Sequence, residues 1–268
     1  MEVPPGIDPT KAHPSRRYNY WLGGKDNFAV DRESAEVVAS AFPTVALSAR
    51  ENRAFLKRVV TYLAGEVGIQ QFLDIGTGLP SAGNVHEVAQ AIEPTSRIVY
   101  VDNDPVVLVH ARALLTSEPE GRTAYIQADL REPDKILVNP DLESTLDMSR
   151  PVALMVVATM HFVTDDHDPY GIVRRLVAAL PPGSHLVMTH ATDDYLTPEQ
   201  LAESVEANER SGVPFRLRSR DEFTRFFDGL ELLPPGVTSV LEWRPEAHEL
   251  ERPSIEDVSM LCAVARVP

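Results

Sequence analysis

Cysteine is almost absent from this chain of 268 residues, which holds one, Cys262. A single thiol excludes an internal disulfide framework and a cysteine metal cluster, so we expect Cys262 to be a core residue of a closing strand over residues 258–267. No apolar run reaches membrane-spanning length. Met1–Asp8 also lacks the basic start and apolar centre of a signal peptide. A cytoplasmic location is the default expectation.

Basic residues are scarce as well, with 25 Lys and Arg against 40 Asp and Glu and a formal net charge of −15. Proteins that follow phosphate backbones or anionic membranes need clustered Lys and Arg, so we expect neither nucleic acid nor membrane as a partner. The acidity fits a protein that acts on something neutral or cationic. Hydrophobic residues make up 43% of the chain, which is enough to build the core of one large α/β domain.

The stretch over residues 71–92 predicts a strand, a glycine turn and a helix. Its first part is a short apolar run, and Asn84–Ile92 has the apolar spacing of a helix. Glycine in such a turn lets the backbone come close to a ligand, because no Cβ intervenes. A plain strand-turn-helix, in which glycine only makes the bend, is the alternative interpretation.

The dinucleotide fingerprint G-x-G-x-x-G is incomplete in this turn, because Ser81 stands where the third glycine belongs. What remains is Asp74-x-Gly76-x-Gly78, with the aspartate at the strand end. This pattern resembles the first motif of S-adenosylmethionine (SAM) methyltransferases. SAM carries an ammonium and a sulfonium, which favour a nearby carboxylate.

The next predicted strand, over residues 97–102, ends in Asp102. Its distance along the chain from Gly78 is close to the spacing at which an acidic residue receives ribose hydroxyls in nucleotide-binding α/β folds. The alternative is an N-cap for a helix over residues 105–115, which Asn103 or Asp104 could provide equally well. We therefore favour the ribose role for Asp102.

A third predicted strand, over residues 123–129, ends in Asp129. In the SAM-enzyme pattern this carboxylate accepts the adenine amino group, and the backbone amide of Leu130 meets a ring nitrogen; a turn aspartate is the alternative. Ligands of open α/β sheets lie at the carboxyl ends of the strands. We therefore expect Asp74, Asp102 and Asp129 to share one rim of the sheet.

The segment Arg16–Phe28 holds four aromatic residues and two adjacent glycines, without clean helical or strand periodicity. One interpretation is a loop that packs its aromatic side chains on the domain edge. The other is a lid over a ligand, in which Gly23 and Gly24 allow close approach and Lys25 supplies a cation. Helices are expected over residues 31–41 and 47–66, where the polar Asn52 and Arg53 face either a site or solvent.

The most apolar run, residues 151–158, predicts a central strand buried on both faces. His161 follows it on the ligand side and is either a proton acceptor or a structural residue. The acidic cluster over residues 165–168 could suggest a hard-cation site, but a solvated run before the helix over residues 169–180 is favoured, and we expect no metal. Three phenylalanines over residues 223–227 are expected to pack a helix onto the sheet.

Five segments together resemble one known family: Tyr18–Asn27, Phe72–Pro80, Asn84–Glu87, Val101–Pro105 and His161–Val163. That family is the S-adenosyl methyltransferase family long catalogued as a domain of unknown function. The resemblance implies a Rossmann-like α/β fold, with a mostly parallel seven-stranded sheet, its last strand antiparallel, and helices on both faces. An N-terminal arm, lid and helices (residues 1–66) would cover the cofactor site of a SAM-binding domain (residues 67–268), all in one structural unit.

The resemblance also implies SAM as cofactor, S-adenosylhomocysteine (SAH) as product, and an unidentified small molecule as methyl acceptor. Its expected cofactor-binding residues are Gly23, Gly24, Lys25, Asp74, Gly76, Gly78, Asp102, Asn103, Asp129, Leu130 and Ala158. His161 is the candidate catalytic base, and assembly into a homodimer is left open. Two alternatives are a SAM-binding regulatory protein without turnover and a nicotinamide-dependent oxidoreductase, the second disfavoured by Ser81.

Overall fold

The computed structural model describes residues 7–114, 119–245 and 252–268. The first six residues of the chain lie outside these ranges. So does residue 115, the predicted end of a helix. Three helices come first: α1 (Pro14–Trp21), α2 (Ala29–Ala41) and α3 (Val45–Tyr62), which continues into a π-helical turn (Leu63–Val67). The helices predicted over residues 31–41 and 47–66 are confirmed as α2 and α3.

Helix α1 occupies the first part of the segment predicted as a loop or lid. Pro14 stands in its first turn, and the backbone N–H of Ser15 donates to the His13 side chain at 3.3 Å. The buried residues of α1 are all polar: Ser15, Arg16, Arg17 and Asn19. Because the inward face is polar, the helix has no apolar periodicity that the sequence could reveal.

Strands and helices alternate after α3. The strands are β1 (Gln71–Ile75), β2 (Arg97–Asp102), β3 (Arg122–Gln127), β4 (Ala153–Val156), β5 (His185–Ala191), β6 (Glu231–Leu232), β7 (Thr238–Ser239) and β8 (Met260–Arg266). The helices are α4 (Val85–Ile92), α5 (Pro105–Leu114), α6 (Pro133–Leu137), α7 (Pro140–Thr145), α8 (Pro169–Val177), α9 (Pro198–Arg210), α10 (Arg220–Thr224) and α11 (Ile255–Val258). This alternation is the Rossmann-like α/β fold expected from the sequence.

The strands form one sheet in the order β3-β2-β1-β4-β5-β8-β6, with β7 also paired to β8. The pairs among β1 to β5 are parallel, and β8 is antiparallel to β5, as expected for the last strand. The predicted number of seven strands is wrong, because the described part of the chain has eight. Strands β6 and β7 are two residues long, too short for an alternating pattern to appear in the sequence.

The sheet separates two hydrophobic clusters, since successive side chains of a strand point to opposite faces. Leu73 of β1 and Leu154 of β4 belong to one cluster, together with the three phenylalanines of residues 223–227. Phe72 belongs to the other, with Phe55 of α3 and Trp243. The predicted packing of the phenylalanines is confirmed, as is the burial of Cys262, which is fully buried in the second cluster.

Within the described ranges, no helix combines the length and the apolar character needed to cross a membrane.

Candidate active site

A cavity of about 320 Å³ is lined by residues at the carboxyl ends of β1, β2, β3 and β4. It is here called the larger cavity because it exceeds the neighbouring cavity described below. It lies where the strand order reverses between β1 and β4, the position at which open α/β sheets bind ligands. The predicted cofactor residues that line it are Asp74, Gly76, Gly78, Asp102, Asn103, Asp129, Leu130 and Ala158. The structure therefore brings the three strand-end aspartates to one rim of the sheet.

Hydrogen bonds hold the turn after β1 against β2. The backbone N–H of Gly76 donates to Val101 O at 2.8 Å, and that of Gly78 donates to Asp102 Oδ2 at 2.8 Å. The two glycines have φ of +75° and +70°, a region that other residues adopt only at a cost. A Cβ on Gly76 would also lie 2.3 Å from Thr159 Oγ1. The turn thus gives the cavity a wall of bare backbone.

The Asp74 carboxyl lines the larger cavity beside this turn and is 7% exposed. Burial raises the pKa of Asp74 to about 7, because the ionised form loses its hydration. The charge of Arg53 acts in the opposite direction. A ligand cation in the cavity would favour the ionised carboxylate, so Asp74 is suited to receive positive charge.

The Asp102 carboxylate accepts hydrogen bonds from two backbone segments and still has unused acceptor sites. Its Oδ2 accepts from Gly78 N at 2.8 Å and its Oδ1 accepts from Asp104 N at 2.9 Å. A carboxylate has about four lone-pair sites, so about two remain for ribose hydroxyls. The alternative capping role belongs to Asp104, whose Oδ1 accepts from Val106 N at 3.0 Å in the first turn of α5.

Asp129 is already surrounded by donors. Both of its oxygens accept from the Arg131 guanidinium, at 2.9 and 2.6 Å, and it also accepts from Arg131 N and from Asn103 Nδ2. Burial opposes ionisation, but the Arg131 hydrogen bonds outweigh it and lower the pKa of Asp129 to about 2. An adenine amino group would need one of these donors to move away from the carboxylate.

Two backbone positions complete the sheet side of the larger cavity. The N–H of Leu130 has no acceptor among the described residues, so it can donate to a ligand. Ala158 has φ of +53°, a strained conformation for a residue with a side chain, and its N–H donates to Thr189 Oγ1 at 2.8 Å. Strained backbone of this kind clusters at functional sites.

The opposite wall comes from the N-terminal helices. Asn52 of α3 is 2% exposed; its Nδ2 donates to the Tyr18 hydroxyl at 2.9 Å, and its Oδ1 accepts from Thr189 Oγ1 at 2.8 Å. The lining residues that the sequence did not single out include His13, Ser15, Arg131, Val213 and Pro214. For His13 and Ser15, the local signal in the sequence is the His-Pro-Ser segment, which is typical of a helix start.

Gly23, Gly24 and Lys25 line neither this cavity nor the smaller one described below. The two glycines end α1 instead. Gly23 has φ of +81° and donates its N–H to Tyr20 O at 2.9 Å, and Gly24 N donates to Asn19 O at 2.8 Å. A Cβ on Gly24 would lie 2.2 Å from Asn19 Nδ2. The helix end is therefore sufficient to account for glycine at both positions.

A second cavity of about 90 Å³, here called the smaller cavity, adjoins the larger one. Tyr18, Ala158 and Phe162 line both. Its other walls are mostly apolar. They come from α1, α2, α3, α9 and the segment after it, from the end of β5 and the loops after β4 and β5, and from the junction of α11 with β8. The predicted catalytic residue His161 lines the smaller cavity and not the larger.

The His161 imidazole is held in a way that suits donation better than proton acceptance. It is 5% exposed, and its Nδ1 accepts from Ala191 N at 3.4 Å. A neutral imidazole that accepts at Nδ1 carries its proton at Nε2. Burial lowers the pKa of His161 well below 6.5, and the neighbouring Arg17 acts in the same direction. The side chain is therefore neutral at physiological pH and a weak base.

The acidic run over residues 165–168 is engaged in structural contacts. Asp165 Oδ1 lies 2.7 Å from Arg218 Nη2, and Asp168 caps α8 by accepting from Gly171 N at 3.0 Å. In the ranges that the structure describes, no group of three or more His, Cys, Asp or Glu side chains could hold a metal ion.

Known proteins resemble the chain over nearly its whole length. The family profile described as S-adenosyl methyltransferase matches residues 1–268. A DUF574 family protein from Streptomyces avermitilis MA-4680 is 46% identical, with a TM-score of 0.92 and coverage of 96% of this chain and 98% of that one. A candidate methyltransferase from Thermobifida fusca YX is 42% identical, with a TM-score of 0.87 and 98% coverage of both. No curated protein matches the chain.

Proposed function

This chain belongs to the S-adenosyl methyltransferase family, and from that premise we propose that it methylates a small organic molecule seated in the smaller cavity. SAM is the methyl donor and SAH the product of this class of enzyme. The larger cavity is the place for the donor, and the smaller cavity is the place for the part of the acceptor that receives the methyl group.

The lining of the larger cavity fits SAM in chemistry. Asp74 would face the cationic part of the donor, and Asp102 would receive the ribose hydroxyls at its remaining acceptor sites. The Leu130 amide, which lacks a protein acceptor in the described part of the chain, would donate to an adenine ring nitrogen. The Gly76 backbone allows close approach of the ligand.

When bound, SAM supplies an electrophilic methyl group that an acceptor lone pair takes up while the sulfur keeps the bonding electrons. The contribution of the protein is to align the two partners and to exclude water, which accounts for much of the acceleration of such a step. A dedicated base is therefore optional, in keeping with the weak basicity of His161.

One observation carries the proposal: the two cavities share the side chains of Tyr18 and Phe162 and the strained residue Ala158. These residues mark the boundary at which donor and acceptor would meet. The smaller cavity, at about 90 Å³, has room for roughly three water-sized groups and none for a folded macromolecular partner.

The proposal is tested first by binding and then by turnover. In isothermal titration calorimetry we expect SAH to bind the wild type, and Asp102→Ala to bind it roughly tenfold to a hundredfold more weakly, the usual loss for hydrogen bonds to a charged group. Asp134→Ala is the matched control, because Asp134 is a largely exposed carboxylate that pairs with Arg175 and lines neither cavity.

Turnover is then measured as SAH release from SAM in the presence of pooled small molecules. Release that depends on one pool and is lost in a variant of the shared wall, Phe162→Ala, would support a small-molecule acceptor. Absence of SAH binding by the wild type, or normal binding by Asp102→Ala, would overturn the proposal. Binding without release from any pool would favour the alternative of a SAM-binding regulatory protein.

A further inference from the structure

The smaller cavity has a buried cation in its wall. Arg17 lines it and is 1% exposed. Its Nη1 donates to Ser211 Oγ at 3.1 Å and to Ser34 Oγ at 3.4 Å, and its Nε has no hydrogen-bond partner in the described structure. The guanidinium carbon lies 5.5 Å from the centroid of the Trp21 ring and 5.8 Å from that of Phe162. The cation is therefore next to the wall that the two cavities share.

Arg17 differs from its neighbour in having no carboxylate. Arg16 lies 3.1 Å from Asp104 Oδ2 and 3.5 Å from Asp31 Oδ2. Arg17 forms no ion pair with any residue that the structure describes, and its two hydroxyl partners are neutral. Burial lowers the pKa of Arg17 to about 10, and the charge of Asp31 opposes this shift through space. Arg17 is therefore protonated at neutral pH.

A buried charge without a counter-ion is costly, and proteins rarely keep one. A second donor in the same wall is also unused, because Trp21 Nε1 has no hydrogen-bond partner among the described residues. Arg17 is the one permanently charged side chain among the described residues that line this cavity. The missing counter-charge is accordingly expected from a ligand that enters the cavity.

We propose that the smaller cavity binds the carboxylate of an organic acid, held by Arg17 and Trp21, and that the methyl acceptor is such an acid. This deepens the proposed function and rests on it. The volume of about 90 Å³ admits the carboxylate and a short apolar stem. The remainder of the acceptor, with the atom that receives the methyl group, would lie beside Tyr18 and Phe162, where the smaller cavity meets the larger one.

Planar guanidinium recognises carboxylate through two parallel N–H···O bonds, so the carboxylate matches Arg17 in shape as well as in charge. The apolar walls exclude water and strengthen the pairing. Although the chain carries a net charge of −15, the charge that an acceptor meets in this cavity is positive. The overall charge suggested a neutral or cationic substrate, but the charge in the smaller cavity favours an anionic one.

The test uses two probes of equal shape, isobutyrate and isobutyramide, with binding followed by ligand-observed NMR on the SAH-saturated protein. We expect isobutyrate to bind the wild type and isobutyramide to bind roughly tenfold or more weakly, as for loss of a charged hydrogen bond. In Arg17→Met the preference for the acid should vanish, while SAH affinity stays within about twofold. Arg175→Met, which removes an exposed arginine that lines neither cavity, should behave as the wild type.

A stability measurement keeps the test informative should Arg17→Met bind neither probe. Without ligand, replacing an unpaired buried charge by an apolar side chain should leave the melting temperature unchanged or raise it. Equal binding of acid and amide to the wild type, or a retained acid preference in a folded Arg17→Met protein, would overturn the inference while SAH binding still supports the proposed function. Failure of SAH to bind would instead overturn the function itself.

Discussion

At the scale of single residues, the titration of Asp74 should make both the stability of the fold and ligand binding in the larger cavity depend on pH. Burial raises its pKa to about 7 from an ordinary value of 3.8, so the folded protein holds this proton more tightly than the unfolded chain does. The stabilisation that Asp74 provides is complete below about pH 4 and is lost as the pH rises towards about 7. Ligand binding that needs the ionised carboxylate follows the opposite trend and improves up to about pH 7.

Asp74→Asn removes this titration and keeps the size of the side chain. Without ligand, we expect the unfolding free energy of the wild type, relative to that of Asp74→Asn, to fall by a few kcal/mol between about pH 4 and about pH 7, then to level off. Urea unfolding followed by tryptophan fluorescence measures it. SAH affinity of the wild type should drop about tenfold per pH unit below the pKa, whereas that of Asp74→Asn should be weak and flat. Parallel pH profiles for both proteins would contradict the assignment.

The residues on the sheet side of the site could be predicted because each one ends a readable strand. Asp74, Asp102 and Asp129 follow apolar runs, and the carboxyl ends of parallel strands meet at one edge. Arg17 could not be predicted as part of a cavity, because its neighbours there come from segments far apart in the chain. The engagement of Asp129 by Arg131 also depends on a side-chain conformation that no spacing rule encodes.

At the scale of elements, α1 was the principal departure from expectation. A helix is recognised in a sequence by its apolar stripe. Helix α1 has no such stripe, because the residues it buries are polar. Its docking depends on charge: Arg16 is 4% exposed and lies within ion-pair distance of Asp31 and Asp104. Helix α4, by contrast, has both an apolar stripe and a capping box of Asn84 and Glu87, and was predicted to within one residue.

Arg16→Met tests whether charge holds α1 over the larger cavity. The change leaves two buried carboxylates without their cation, for which we expect a loss of roughly 3–5 kcal/mol in unfolding free energy. Amide hydrogen exchange should show residues 14–21 losing protection before the sheet does. SAH affinity should also fall, because His13, Ser15 and Tyr18 line the larger cavity, the proposed SAH site. Arg32→Met is the control, since Arg32 is an exposed arginine of α2 whose side chain, within the described ranges, hydrogen-bonds to Asn27 alone. Unchanged exchange at α1 in Arg16→Met would show that other contacts hold the helix.

At the scale of the whole molecule, the strand order explains where the larger cavity lies. The chain runs outward from β1 to β3 and then returns to place β4 on the other side of β1. The apolar runs of the sequence located the long strands, and the fold class followed from their alternation with helices. The two-residue strands β6 and β7 escaped detection because their pairing with β8 is decided by tertiary contacts.

The N-terminus of α4 bears on whether this fold binds SAM or a dinucleotide. A pyrophosphate would need the N-terminus of α4, as in nicotinamide-binding folds. That position is filled by a carboxylate of the protein itself: Glu87 accepts from Gly83 N at 2.7 Å and from Asn84 N at 3.3 Å. Glu87 would repel a phosphate and leaves no free donors at these two positions. The structure thus adds a physical reason to the sequence argument based on Ser81.

Thermal unfolding of the whole protein decides between the two ligand classes. A ligand at about a hundred times its dissociation constant stabilises the folded state by about 2.7 kcal/mol, which for a chain of this size corresponds to a rise in Tm of roughly 5–10 °C. We expect this rise with SAH, because it would bridge the N-terminal helices and the sheet, and no comparable rise with NAD at the same concentration. Asp102→Ala should lose most of the SAH effect while retaining a cooperative transition. A rise with NAD that exceeds the rise with SAH would mean that the glycine turn serves a dinucleotide after all, despite Glu87 at the start of α4.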